Sequence, residues 1–273
     1  MVASKTDFGR RCLRAFWTVA LLVGMGLAHA PAHAGTRLAL VMGNGDYAHA
    51  SDLFHAVRDA RDIATRFRHM GIEVHDGYDL TLSEMRQLVA GFRSRVRQDD
   101  AAEVLLYYAG HGFSLNGADH VVPVDASLVD RQTATAEAPS LEAILDDIRP
   151  GGDRNVVVLF DACRDSPLPM RPAAGEKSAG LTGRRPGVLI SYATEFGRPT
   201  RDGKGTHSPY TRALLGALGT KPMSIEALLA KIRRSVRGET NGQQLPVVQG
   251  ALSGPFEFGG LDSQARPSDR PGS

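Results

Sequence analysis

A histidine and a cysteine each follow directly on a run of apolar residues. His111 lies in the segment YAGHG (108–112) after VLL (104–106), and Cys163 lies in DAC (161–163) after VVVLF (156–160). A thiol becomes a strong nucleophile when a neighbouring imidazole takes its proton, and the imidazolium can later protonate a leaving amine. The two residues therefore indicate thiolate catalysis, with Cys163 as nucleophile and His111 as general base.

Glycine flanks the histidine on both sides. Gly110 and Gly112 let the backbone approach a substrate closely and free an N–H group to face a developing oxyanion. We expect the backbone N–H groups of Gly112 and Cys163 to form that oxyanion hole. The alternative for Cys163 is a small buried apolar side chain with no chemical role.

Two aspartates are candidates for binding a substrate. Asp161 interrupts an apolar run two residues before Cys163, so both side chains are expected on one face of a strand. A carboxylate there is costly unless paired, either as a cap or internal ion pair, or by a cationic group of the substrate. Asp59, on the polar side of a predicted helix near its middle, is the second candidate, although alone it is typical of a solvated surface carboxylate.

The elements that must position these residues alternate between strand and helix. Strands are predicted at 37–42, 72–74, 103–109, 155–160 and 187–193, with late strands at 245–248 and 256–258. Helices are predicted at 51–70, 81–97, 140–148, 208–218 and 224–236. Such alternation predicts an α/β fold, with a mostly parallel sheet and helices on both faces. Sites in these sheets form at the carboxyl ends of strands, where His111 and Cys163 lie.

Residues 1–34 have the pattern of a secretory signal peptide. Basic residues precede an apolar stretch at 16–27, and AHA (32–34) is a small-x-small cleavage site before Gly35. We expect a periplasmic or secreted protein without a membrane span after signal removal; the alternative is an uncleaved anchor helix. Cys12 would leave with the signal, so Cys163 would be the only cysteine of the exported chain.

The remaining chain is long enough for one large domain, which we place at 35–258. Residues 259–273 are rich in Gly, Pro, Ser and Asp and predict a disordered tail. The segment 166–186 has no hydrophobic periodicity and predicts an exposed loop beside Cys163, whose basic residues make it a candidate for self-processing. The formal net charge is +2, and no lysine-rich patch is interleaved with aromatic residues, so no nucleic-acid partner is indicated.

Together these motifs resemble the caspase and metacaspase family of cysteine peptidases over residues 36 to 258. The resemblance rests on the first strand with its Gly43-Asn44 turn, on YAGHG (108–112), on DACR (161–164), and on SYAT (191–194) followed by SPY (208–210). It implies a caspase-like three-layer sandwich that hydrolyses peptide or protein substrates with His111 and Cys163. No cofactor and no metal ligand is assigned; many metacaspases need calcium, but no convincing carboxylate cluster matches such a site.

The resemblance also bears on specificity. Metacaspases that cleave after Arg or Lys place one Asp two residues before the cysteine, as Asp161 is here, and another in the first helix, as Asp59 is. We therefore expect cleavage after Arg or Lys. The alternatives are an Asp-directed caspase, whose pocket arginines have no identified counterpart, and a caspase-fold regulatory or binding module with little turnover. The oligomeric state does not follow from the sequence.

Overall fold

A computed structural model describes residues 36–99, 102–149, 154–163, 185–195, 205–219 and 221–259. Its strands are β1 (Arg37–Gly43), β2 (Glu73–Tyr78), β3 (Glu103–Gly110), β4 (Gly112–Leu115), β5 (Ala118–Val121), β6 (Val156–Ala162), β7 (Val188–Tyr192), β8 (Met223–Ser224), β9 (Val247–Ala251) and β10 (Glu257–Phe258). Six of them form the central sheet in the order β2-β1-β3-β6-β7-β9. All pairs in that sheet are parallel except β7 with β9, which confirms the predicted mostly parallel sheet.

The helices are α1 (Ala56–His69), α2 (Leu82–Val96), α3 (Arg131–Glu137), α4 (Leu141–Ile148), α5 (Pro209–Ala217) and α6 (Ile225–Glu239). Alternate residues of β3 belong to opposite cores. Leu105 and Tyr107 pack in the layer that contains α1, α5 and α6, whereas Leu106 and Tyr108 pack in the layer that contains α2 and α4. The sheet thus lies between two helical layers, as the predicted three-layer sandwich requires.

Side-chain caps fix the starts of α2, α3, α4, α5 and α6, whereas α1 has no such cap. At α2 the Thr81 hydroxyl accepts the Glu84 N–H and the Glu84 carboxylate accepts the Thr81 N–H, which confirms the capping box predicted there. At α5 the Ser208 hydroxyl accepts the Thr211 N–H at 3.0 Å, and Pro209 occupies the first helical position. Both caps lie near the carboxyl edge of the sheet and set the direction in which the following helix leaves it.

Several predicted boundaries were wrong. The first helix begins at Ala56 rather than at Ser51, because residues 51–55 fold back and the Leu53 N–H donates to the Gly45 carbonyl at 2.9 Å. Asp59 therefore lies in the first turn of α1 and is 1% exposed, which overturns its interpretation as a solvated surface residue. Strand β6 extends through Asp161 and Ala162, and the hairpin of β4 and β5 was not predicted.

Some predicted segments lie outside the described residues: the signal peptide (1–34), residues 166–184 of the loop after Cys163, and residues 260–273 of the tail. Within the part of the chain that the structure describes, no helix combines the length and apolar character needed to cross a membrane.

The turn after β1 is organised by Asn44, which is fully buried. Its backbone N–H donates to the Ala109 carbonyl at 2.9 Å, and its side-chain amide donates to the Val122 carbonyl at 2.9 Å. Its side-chain oxygen accepts the Leu80 N–H at 3.0 Å. One residue therefore joins the end of β1 to β3 and to the segments that follow β2 and β5.

We predict that Asn44→Ala lowers the free energy of unfolding by about 2–4 kcal/mol, because the Leu80 N–H and the Val122 carbonyl lose their Asn44 side-chain partner. Chemical denaturation of a protein comprising residues 35–273 measures the change. Gln98→Ala, at an exposed position, is the control and should change stability by less than about 0.5 kcal/mol. Equal stability of the two variants would contradict the role of Asn44.

Candidate active site

His111 and Cys163 leave neighbouring strands at the same edge of the sheet. The parallel register pairs Ala109 with Asp161 and Gly110 with Ala162. His111 and Cys163 come one residue later, each directly after the last residue of its strand. Because paired strands lie only about 4.8 Å apart, the two backbones are neighbours at this point.

Gly112 packs against the end of β6 and against Cys163. A Cβ atom at position 112 would lie 3.0 Å from the Cys163 carbonyl oxygen, 3.1 Å from the His120 carbonyl oxygen and 3.2 Å from the Ala162 Cβ. A larger residue would therefore push the histidine segment away from the cysteine segment. The structure thus brings together His111, Gly112 and Cys163, which the sequence predicted to share a site.

The Gly112 amide points out of the β4–β5 hairpin. The Val122 N–H donates to the His111 carbonyl at 3.2 Å, and Gly112 is paired with Val121 one step along the same antiparallel ladder. Since hydrogen-bonded and non-hydrogen-bonded pairs alternate in such a ladder, the Gly112–Val121 pair is of the second kind. The Gly112 N–H therefore faces away from β5, an orientation that the predicted oxyanion hole requires.

Two tyrosines hold the His111 backbone. The His111 N–H donates to the Tyr47 phenol oxygen at 2.7 Å, and the Tyr108 hydroxyl donates to the His111 carbonyl at 2.6 Å. The Tyr47 ring also packs against the imidazole, with centroids 4.5 Å apart. Burial raises the pKa of Tyr47 above its ordinary value, so the phenol stays protonated. Neither tyrosine was predicted as a site residue.

The imidazole of His111 is oriented by a main-chain carbonyl. Its Nε2 lies 2.8 Å from the Ser51 carbonyl oxygen. A carbonyl can only accept, so Nε2 carries the proton and the neutral ring keeps its lone pair on Nδ1. Nδ1 is therefore the nitrogen that can take a proton. Ser51 could not be predicted as a site residue, because its side chain plays no part in the contact and the helix was expected to include it.

The candidate carboxylates converge on the start of α5. The Asp161 Oδ2 accepts the Ser208 hydroxyl at 2.5 Å and the Thr211 hydroxyl at 2.8 Å. The Asp59 Oδ2 accepts the Ser208 N–H at 3.0 Å, and its Oδ1 lies 2.7 Å from the His207 Nδ1. Ser208 thus bonds both carboxylates, which brings the two predicted substrate-binding residues into one cluster.

The N-terminus of α5 favours these buried anions. The helix dipole gives that end a partial positive charge, which partly offsets the cost of burying a carboxylate. Tyr107 lies next to this cluster, and its hydroxyl is 2.5 Å from the Thr211 hydroxyl. Burial, together with the charges of Asp161 and Asp59, raises the pKa of Tyr107 well above its ordinary value. Asp59 and Asp161 therefore form a negatively charged corner that is shielded from water. Asp161 lies on β6, two residues before Cys163.

The serine and proline at the start of α5 carried a sequence signal for this arrangement, since they are typical of a cap and a first helical residue. Nothing in the sequence connected His207 or Thr211 with the carboxylates. Among the described residues, no group of three or more His, Cys, Asp or Glu is arranged to hold a metal ion, so no metal ligand is assigned.

Comparison with known proteins finds two matches to this chain. The model of the Peptidase C14 caspase domain matches residues 36–257, which is most of the chain. The human protein named mucosa-associated lymphoid tissue lymphoma translocation protein 1 is 36% identical over 90 residues. That match covers 33% of this chain and 11% of the human protein's length.

We predict that Tyr47→Phe slows alkylation of Cys163 by iodoacetamide about fivefold, because the His111 N–H loses its acceptor while the packed ring is retained. Tyr78→Phe, on β2, removes a phenol bonded to Asp76 elsewhere and should leave the rate unchanged. Rates measured by mass spectrometry over a pH series test the claim. Identical profiles for wild type and Tyr47→Phe would refute it.

Proposed function

Because the chain belongs to the caspase-domain family, we propose that it is a cysteine endopeptidase with Cys163 as nucleophile and His111 as general base. The observation that carries this proposal is the register of β3 with β6, since it makes the backbones at His111 and Cys163 neighbours. The family consists of cysteine peptidases, so protein or peptide substrates follow from membership.

The proposed reaction uses groups at the ends of β3 and β6. The His111 Nδ1 accepts the thiol proton, and the Cys163 thiolate attacks the carbonyl carbon of the scissile bond. The N–H groups of Gly112 and Cys163 stabilise the oxyanion that forms. When the intermediate collapses, the C–N bond breaks and the amine leaves with the proton from His111. The neutral His111 Nδ1 then takes a proton from water, which attacks the thioester carbon. The C–S bond breaks, the acid leaves, and the proton returns from His111 to the Cys163 sulfur, while the Ser51 carbonyl accepts the Nε2–H.

The proposed side chain at the cleaved position is Arg or Lys. Asp161 lies two residues before the nucleophile on β6, and Ser208 links it to Asp59, so two carboxylates face one corner beside Cys163. A cationic side chain gains charge-assisted hydrogen bonds there. An aspartate side chain would meet two negative charges in a poorly solvated place, which disfavours the Asp-directed alternative.

We also propose that the enzyme is exported to the periplasm or secreted. The basic start, the apolar stretch and the AHA segment (32–34) support this location. A thiolate enzyme with one cysteine after cleavage cannot form an internal disulfide, so an oxidising compartment would not cross-link its nucleophile within the chain.

Turnover of fluorogenic peptides that end in Arg, Lys or Asp tests the activity. We expect the mature wild type to cleave after Arg or Lys, and Cys163→Ala or His111→Ala to lose about 10³-fold or more in kcat. Circular dichroism shows whether the variants are folded. If the folded wild type has no turnover that depends on Cys163, the chain is instead a caspase-fold regulatory or binding module.

Specificity is tested by Asp161→Asn, which keeps the volume and lets the Ser208 and Thr211 hydroxyls retain partners, but removes the charge. We expect kcat/KM for Arg peptides to fall about 10²-fold, because a cation loses its buried counter-charge. Asp146→Asn, exposed on α4, is the control. Alkylation of Cys163 should be unchanged in both variants. Equal cleavage after Arg and Asp by the wild type would contradict the acidic pocket.

A further inference from the structure

The acidic cluster already contains a group of this chain that can carry positive charge. The His207 Nδ1 lies 2.7 Å from the Asp59 Oδ1, and its Nε2 lies 3.3 Å from the Asp62 Oδ2. The His207 side chain is only 17% exposed, and it directly precedes the Ser208 cap of α5. The His207 imidazole therefore occupies one oxygen of Asp59, the carboxylate that we propose binds a substrate cation.

We propose that His207 is a specificity-determining residue that competes with the cationic side chain of the substrate for Asp59. This inference rests on the proposed function, because it concerns the same acidic corner. A guanidinium or ammonium group that bonds the Asp59 Oδ1 must displace the His207 Nδ1–H. The other Asp59 oxygen accepts the Ser208 N–H, which is part of the start of α5, so the imidazole is the donor that can be exchanged at lower cost.

Competition of this kind separates Arg from Lys. A planar guanidinium presents paired N–H groups that bind a carboxylate in a bidentate manner, whereas an ammonium acts as a strongly hydrated point charge. Arg therefore displaces the imidazole more readily than Lys. With His207 present, the preference for Arg over Lys is larger than the two carboxylates alone would give.

The strength of the competition depends on the charge of the imidazole. Asp59 and Asp62 on α1 favour the charged form, while Arg58 on α1 and Arg212 on α5 oppose it. Burial first, together with Arg212 and Arg58, lowers the pKa of His207 below its ordinary value of 6.5, against the opposite effect of Asp62. At neutral pH the ring is thus neutral and donates one hydrogen bond, to Asp59.

A fall in pH changes the hydrogen bonds that His207 makes with Asp59 and Asp62. As pH falls through the lowered pKa of His207, the second ring nitrogen gains a proton and can donate to Asp62 as well. The imidazolium then bridges two carboxylates and neutralises part of the charge that attracts the substrate. Binding of a cationic substrate should consequently weaken on the acid side, in addition to any loss caused by protonation of the catalytic histidine.

The first test compares wild type with His207→Ala, and uses His69→Ala, exposed in the last turn of α1, as the matched control. With peptides ending in Arg, we expect His207→Ala to lower KM about fivefold with kcat within about twofold, since a competing hydrogen bond to a charged group is gone. The ratio of kcat/KM for Arg over Lys should fall. An unchanged or higher KM, with the Arg/Lys ratio preserved, overturns the proposal and leaves a purely structural role for His207.

His207→Gln keeps a neutral donor for Asp59 but cannot take up a proton, and it protects the test if the alanine variant unfolds. We expect its KM at pH 7.5 to resemble that of the wild type, and the rise of KM at acid pH to be absent. Alkylation of Cys163 by iodoacetamide over the same pH range reports the catalytic pair alone and should be identical in both proteins. A persistent acid rise of KM in His207→Gln counts against the proposal.

A binding measurement keeps this inference separable from the proposed activity. The Cys163→Ala protein is titrated with Nα-acetylargininamide while the His207 ring proton signals are followed by NMR, with assignment from His207→Gln. We expect these signals to shift on binding, and the probe to bind about fivefold more tightly when His207→Ala is added. Binding that leaves the His207 signals in place, or no binding to either protein, overturns the inference, whether or not the wild type cleaves peptides.

Discussion

The parallel pairing of β3 with β6 is the constraint on which the rest of the site depends. Two strands that run in the same direction and share hydrogen bonds end at the same edge of the sheet, so the residues just past their ends are neighbours. Around this edge the turn after β1 supplies Tyr47 and the Ser51 carbonyl, and the start of α5 supplies Ser208. Tyr47, Ser51 and Ser208 surround the candidate site only because β3 and β6 end next to each other.

Much of the fold could be predicted from the sequence, because its signals are local. Apolar runs located β3 and β6, and the Thr81 cap located α2. The start of α1 was misplaced because Leu53 continues the helical spacing of apolar residues, although a tertiary hydrogen bond to Gly45 folds its backbone back. The hairpin of β4 and β5 was missed because strands of four residues contain no apolar run long enough to recognise.

The candidate site divides in the same way. Residues whose proposed roles depend on their chemical type, namely His111, Cys163 and Asp161, were candidates from the sequence. Ser51 could not, since it contributes a carbonyl that every residue possesses. The environment of Asp59 was misjudged because polarity within a helix describes only that helix. The segment at His207 and Ser208, almost 150 positions later in the chain, covers Asp59 and turns a surface position into a buried one.

The three contacts of Ser208 tie the proposed pocket to the architecture of the domain. One residue caps α5, bonds Asp59 through its amide and bonds Asp161 through its hydroxyl. A descendant of this protein that acquired a basic pocket would have to replace both acids, and each replacement would disturb the seating of a helix that packs in the core. We therefore expect the proposed selectivity to change only by concerted exchanges around α5, and homologues that lack the two acids to differ in their cap residue as well.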